Sequence, residues 1–227
     1  MFMSELQFTI PTLFGLEGVC ADEVRRLNLP KVTAENGRVL CTGSEQDLPR
    51  LNLNVRTGER VLLALGNFLA RDFDALFEGV RALPWERFIP RDGQFPVKGH
   101  CLNSALHSVP ACQSIVKKAI AARLGGKYGL STLPETGALY QVQFSIMGDE
   151  AVLMLDTSGP GLHKRGYRAQ GVAAPLRETL AAGMVLLSRY KGRDPLCDPF
   201  CGSGTIPIEA ALIARNRAPG LNRSFSA

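Results

Sequence analysis

Twelve residues, Asp198-Pro-Phe-Cys-Gly-Ser-Gly-Thr-Ile-Pro-Ile-Glu209, constrain the fold more than any other stretch of this 227-residue chain. They follow a short strand-like run, Pro195 to Asp198, and open into a helical pattern from Thr205 to about Arg215. Strand, Gly-rich loop and helix in that order form the corner where open α/β sheets place nucleotide-like ligands. Gly202 and Gly204 permit left-handed dihedrals and close approach of the backbone to a ligand. The helix start offers free N–H groups and a positive dipole end, which favour a carboxylate or phosphate. Asp198, at the strand's tip, suits a cationic group. The loop is not a Walker-type phosphate loop, because no Gly-x-x-x-x-Gly-Lys occurs. A dinucleotide fingerprint needs a third glycine where Pro207 stands, which leaves a nicotinamide enzyme as a weak alternative. Cys201 has no partnered histidine nearby and is not read as a nucleophile.

Upstream, strands and helices alternate in short pieces. Leu6 to Ile10 reads as a strand and Gly15 to Asn28 as a helix with Leu16, Val19, Val24 and Leu27 near helical spacing. Lys31 to Thr42 reads as a hairpin around Asn36-Gly37, a pair that suits a tight primed turn. A short helix through Leu48, Leu51 and Leu53 and an apolar strand from Arg60 to Leu65 complete a small α+β layer. Next comes a helix, Asp72 to Leu83, ended by Pro84-Trp85, and a strand from Gln94 to Leu102. Ser108 and Pro110 predict a helix start. The helix carries Cys112, Ile115, Val116, Ala119, Ile120 and Leu124 on one stripe, and Gly125-Gly126 is predicted to stop it. Tyr140, Val142, Phe144 and Ile146 alternate with polar residues as a half-buried strand, and Gly148-Asp149 turns it into a second, Ala151 to Leu155. Thr157-Ser-Gly-Pro-Gly161 is the clearest break, followed by a basic stretch, His163 to Arg168, that reads as a linker. A long helix, Pro175 to Tyr190, precedes the Gly-rich loop.

Charge is unevenly spread. Residues 1–90 hold 10 Lys+Arg against 12 Asp+Glu, residues 91–130 hold 6 against 1, residues 131–159 none against 4, and residues 160–227 hold 10 against 4. Two basic blocks around an acidic interval form the electrostatic footprint of a polyanion-binding protein, although solvated surface would look the same. The N-terminus lacks the basic and apolar regions of a signal peptide, and no apolar run approaches the ~18 residues of a membrane span. A cytoplasmic protein with no membrane association is expected. The six cysteines form no Cys-x-x-Cys pair and read as reduced thiols. His100, Cys101, His107 and Cys112 match no familiar zinc spacing, so no metal site is expected.

The string from Asp198 to Thr205, with Glu209 and Ala210, resembles the cofactor motif of the RNA methylase family whose members carry THUMP domains. Leu162-His-Lys-Arg-Gly-Tyr-Arg168 and Ala174-Pro-Leu-Arg-Glu-Thr179 resemble the opening of that family's methyltransferase domain. The likeness extends over essentially the whole chain and is strongest over residues 162–217. It implies α+β N-terminal and THUMP modules followed by an incomplete α/β Rossmann-type methyltransferase domain. The implied boundaries are 1–65 for a ferredoxin-like N-terminal domain, 66–157 for THUMP, 158–172 for a linker and 173–227 for the start of the methyltransferase domain.

The resemblance further implies S-adenosyl-L-methionine as cofactor, with Asp198, Pro199, Cys201, Gly202, Ser203 and Gly204 lining its site. Arg177 and Glu178, following Pro175, would close over its methionine end, with Glu209 supporting from behind. RNA is the implied partner. Lys98, Gln113, Lys117, Lys118 and Arg123 are the candidate contacts in THUMP, and Lys164, Arg165 and Arg168 in the linker; Tyr167 could stack on a base or pack locally. Within the family the chain is most similar to bacterial enzymes that methylate the exocyclic amine of a guanine in 23S ribosomal RNA. A transfer-RNA guanine methyltransferase and a stand-alone RNA-binding THUMP module are the alternatives. No catalytic residue is assigned: the Asn-Pro-Pro-aromatic loop that holds the target amine in this family occurs nowhere in the sequence, and Ala227 follows the motif by only about twenty residues. The sequence therefore reads as an incomplete enzyme that binds RNA without methylating it.

Overall fold

The computed structural model describes residues 5–168 and 175–226, which divide into two compact units. One comprises the chain up to Leu62 together with Thr157–Phe225; the other is Leu63–Asp156.

In the first unit, β1 (Leu6–Pro11) pairs antiparallel with β3 (Arg38–Gly43), and β3 pairs with the short β2 (Thr33–Glu35). The Asn36-Gly37 pair closes the β2–β3 hairpin where the sequence places it, but Gly37 alone is left-handed, at φ +73°, so the turn is not the primed type that the pair suggests. Glu17 holds it from outside, its Oε1 accepting from Gly37 N at 2.9 Å. Glu17 begins α1 (Glu17–Arg26), which buries Cys20, Ala21 and Val24. Phe8 and Ile10 from β1, Val39 and Cys41 from β3, and Leu51 from α2 (Asp47–Asn54) are buried with them.

Residues 157–168, expected as a break and a linker, fall within this unit and place several side chains in its interior. Thr157, Ser158, Leu162 and Arg165 are all buried. Polar side chains can be buried when their hydrogen bonds are satisfied, and here they are. Asn52 Nδ2 donates to Thr157 Oγ1 at 2.9 Å, Ser158 Oγ donates to Asn52 Oδ1 at 2.6 Å, and Val61 N donates to Ser158 Oγ at 2.8 Å. The predicted helix from Pro175 is shorter, α5 (Glu178–Leu187), and it packs on α6 (Thr205–Ala214). Gly183 lets α5 lie against Leu16, whose Cδ1 would stand 2.7 Å from a Cβ there.

The second unit is a four-stranded sheet in the order β4 (Leu62–Leu69), β7 (Glu150–Asp156), β6 (Val142–Met147), β5 (Val97–Leu102). β6 runs antiparallel to β7 and parallel to β5. A parallel pair needs a crossover, and α4 (Val109–Tyr128) supplies it. Cys112, Val116, Ala119, Ile120 and Leu124 form its buried stripe, as the periodicity predicts. α3 (Phe73–Ala82) packs beside it, capped by Asp72, whose side chain accepts from Ala75 N at 2.7 Å. Trp85 is fully buried in the turn after α3 and donates its indole N–H to Val80 O at 2.7 Å.

Two boundaries differ from expectation. α4 runs through Gly125-Gly126 and ends at Gly129, which is left-handed at φ +64°. Glycine in a helix costs only about 1 kcal/mol, whereas termination requires a residue that leaves the helical region, and Gly129 is the one that does. Pro195 to Asp198 forms no strand. A strand exists only through pairing with a neighbour, and among the described residues nothing pairs there. No helix of the described residues is long and apolar enough to cross a membrane.

Candidate cofactor loop and RNA-facing side chains

The Gly-rich loop is a built turn. Asp198 Oδ1 accepts from Phe200 N at 3.1 Å, and Gly204 N donates to Cys201 O at 2.7 Å. Gly202 at φ +51° and Gly204 at φ +74° are both left-handed, a conformation that penalises any residue with a Cβ. Ile208 N makes the first helical bond of α6 to Gly204 O at 3.0 Å, so the N–H groups of Thr205 and Ile206 lie ahead of the helical ladder. Pro207 contributes none. A Cβ at Gly202 would come no nearer than 4.0 Å to Phe200 O, and one at Gly204 no nearer than 3.7 Å to Ile208 Cδ1. The loop thus borders open space that a side chain would fill, with Cys201, Gly202 and Ser203 exposed along it. Oriented amides, a helix N-terminus, a nearby carboxylate and room for a ligand fit a zwitterionic nucleoside such as the implied cofactor.

Behind the loop, α6 is tied to the segment read as a linker. Glu209 is fully buried; its Oε1 accepts from Arg165 Nε at 3.3 Å and from the Tyr167 hydroxyl at 3.2 Å. Burial beside Glu209 and Glu178 pushes the Tyr167 phenol well above its ordinary range. The remaining Arg165 nitrogens donate to Leu162 O at 2.8 Å and Arg56 O at 2.6 Å. Arg165, 3% exposed, is thereby removed from the candidate RNA contacts, because its guanidinium is buried and spent on the protein. Tyr167 likewise packs locally. Arg168 reaches Glu178, Ser203 and Thr205, and Arg177 is exposed with a reach of 3.4 Å to Glu59 Oε2. Glu178 is buried. Of the basic stretch, only Lys164 presents an exposed side chain without such ties.

The second unit sorts its basic residues similarly. Lys98 on β5 and Lys118 on α4 are exposed. Gln113 donates to Val97 O at 3.3 Å. Lys117 is engaged by Glu135 at 2.5 Å and Phe95 O at 3.2 Å, and its ammonium sits 3.5 Å from the centroid of the Phe95 ring. Arg123 forks onto Glu86 through bonds of 2.7 and 2.9 Å and holds that carboxyl down at about 2. A groove between α3 and α4 is lined by Arg81, Arg123 and Lys127 with Glu78. Cys101 and Cys112 approach to 3.8 Å between sulfurs and His100 Nε2 lies 3.0 Å from Ser145 Oγ; among the described residues no three His, Cys, Asp or Glu side chains converge as metal ligands. Sequence reasoning missed Thr205 and Glu59 as partners in the site. Thr205 closes the marked string, but its bond to Arg168 does not show in it, and Glu59 stands in no pattern, since each acts through a residue distant in the chain.

Three family models match in succession: the RlmL ferredoxin-like domain over residues 7–62, the THUMP domain over 70–156, and the RMKL-like methyltransferase domain over 165–227. YpsC of Bacillus subtilis, which bears the provisional name of an RNA methyltransferase, is 48% identical over 213 residues, covering 93% of this chain and 55% of YpsC. The ribosomal RNA large subunit methyltransferase K/L of Syntrophotalea carbinolica is 36% identical over 216 residues, covering 93% of this chain and 30% of the enzyme. Among solved structures, SMU.472, provisionally titled a methyltransferase and crystallised with SAH, superposes with a TM-score of 0.92 at 42% identity, over 98% of this chain and 59% of the other. The chain thus spans about half the length of YpsC and of SMU.472, and less of the K/L enzyme.

Proposed function

Because this chain belongs to the THUMP-bearing RNA methyltransferase family, we propose that it supplies the RNA grip and the first cofactor-binding loop of an S-adenosylmethionine-dependent methyltransferase acting on ribosomal RNA. The observation that carries this reading is the open loop with two left-handed glycines at the start of α6. Thr205 and Ile206 N–H groups there would meet the carboxylate of the cofactor's methionine end, with the dipole of α6 behind them. Asp198 would take a cationic or hydroxyl group at the other side of the loop. When bound, the cofactor supplies a methyl group on a sulfonium, whose departure leaves a neutral thioether. Its transfer to an amine demands alignment and exclusion of water more than proton shuttling. The loop's contribution is alignment. The exocyclic amine of a guanine in 23S ribosomal RNA is the proposed acceptor: the K/L relatives are named for large-subunit ribosomal RNA, and the guanine amine is what the sequence resemblance implies. A paired guanine must be extruded before its amine can be reached.

The second unit would hold RNA through phosphate contacts at Lys98 and Lys118, a grip that weakens with salt and reads little sequence. Calorimetric titration with S-adenosylhomocysteine tests the cofactor half. The parent chain should bind, Gly204→Val should abolish binding by forbidding the left-handed turn and filling the cradle, and Asp198→Ala should weaken it. Binding by Gly204→Val as tight as by the parent removes the site from this loop.

A further inference from the structure

We propose that Arg168 is the positioning residue of the cofactor loop, a clip that sets the direction in which the loop's amides point. The inference rests on reading residues 198–204 as the cofactor site. One guanidinium there serves three acceptors with three different nitrogens. Nε donates to Glu178 Oε1 at 2.5 Å, Nη1 to Ser203 Oγ at 3.1 Å and Nη2 to Thr205 Oγ1 at 2.6 Å. Ser203 and Thr205 are themselves 3.2 Å apart through their hydroxyls. The fork thus joins the first residue of α5, the centre of the loop and the first residue of α6.

This placement matters because Ser203 sits between Gly202 and Gly204. Two adjoining residues without side chains make the loop entropically loose, and only Ser203 offers a side chain by which its middle can be held. Arg168 holds it and couples it to Glu178, a buried carboxylate with no freedom to move away. A planar fork with nitrogens at fixed angles suits three acceptors at fixed positions; a lysine ammonium on a flexible stem does not reproduce that geometry. The energetic effect is preorganisation: ordering the loop before the ligand arrives spares that cost on binding. Arg168 thereby leaves the set of RNA contacts and enters the cofactor apparatus without touching the ligand.

The test is Arg168→Lys in this chain, which retains the positive charge opposite Glu178 but loses the fork. S-adenosylhomocysteine binding should weaken about tenfold or more, the scale of one or two charge-assisted hydrogen bonds. Amide hydrogen exchange across residues 200–206 should quicken without ligand, while the melting temperature changes little. Affinity within about twofold of the parent and unaltered exchange would overturn the clip. The cofactor site would stand in that case if Gly204→Val, measured in parallel, still abolished binding. Gly204→Val binding like the parent would take down both readings. Should Arg168→Lys fail to fold, Ser203→Ala, which leaves the Arg168–Glu178 pair intact, is judged by the same two measurements.

Discussion

Arg165 and Glu209 carry opposite charges where neither meets water, with side-chain exposures of 2% and 0%. Mutual attraction and the carbonyls of Leu162 and Arg56 offset part of the desolvation, while Glu209 Oε2 is buried without a hydrogen-bond partner among the described residues. Removing Arg165 leaves Glu209 buried without its ion-pair partner, with the Tyr167 hydroxyl still on Oε1. Arg165→Met is therefore expected to cost about 3–5 kcal/mol in urea denaturation. The double replacement Arg165→Met with Glu209→Met should recover a large part of that loss, because no uncompensated charge remains. Equal destabilisation by single and double variants would show that packing rather than charge governs the site. The basic side chains that RNA could meet are the ones left exposed, and the same sorting logic holds for Lys117 and Arg123, each committed to a carboxylate.

At the scale of an element, α4 shows how glycines of one helix can differ. Gly126 has helical geometry and open space where a Cβ would stand, so Gly126→Ala should stabilise by about 0.5–1 kcal/mol. Gly129 is left-handed, and Gly129→Ala should destabilise by about 1 kcal/mol because the cap must be strained or lost. Thermal melts of the two variants should move in opposite directions; a shift of the same sign in both would contradict the helix end placed at Tyr128. The same helix exposes Lys118. If it meets a phosphate, Lys118→Glu should weaken RNA binding and flatten the log–log salt dependence by about one unit. Filter binding across a salt series would expose an unaltered slope, which would return Lys118 to ordinary solvated surface.

Two compact units with separate cores make up the described chain, and the candidate RNA side chains Lys98 and Lys118 and the cofactor loop fall in different ones. Gly204→Val should therefore abolish S-adenosylhomocysteine binding while leaving RNA affinity near that of the parent, since a backbone change at residue 204 alters no side chain of residues 63–156. A parallel loss of RNA affinity, read by filter binding on the same preparation, would place the cofactor loop within the RNA-binding surface.

Local chemistry was enough to read several parts of this protein. The Asn36-Gly37 hairpin, the Asp72-capped helix, the apolar stripe of α4 and the Gly-rich turn before α6 follow from dihedral preference and periodicity, which neighbouring residues express in the sequence itself. Gly202 and Gly204 were legible for the same reason: a turn that needs left-handed residues announces them. Tertiary structure alone decided the rest. Whether Pro195–Asp198 is a strand depends on a partner strand, not on its own residues. Whether Thr157–Arg168 is a linker or core depends on Asn52, Val61, Arg56 and Glu209, supplied from distant parts of the chain. An arginine's sequence context shows its charge but not the carboxylate it will find. Arg165, read as facing RNA, is buried against Glu209, and Arg168 is claimed by Glu178, Ser203 and Thr205, because folding brings acceptors from ten to forty-four residues away within hydrogen-bonding distance.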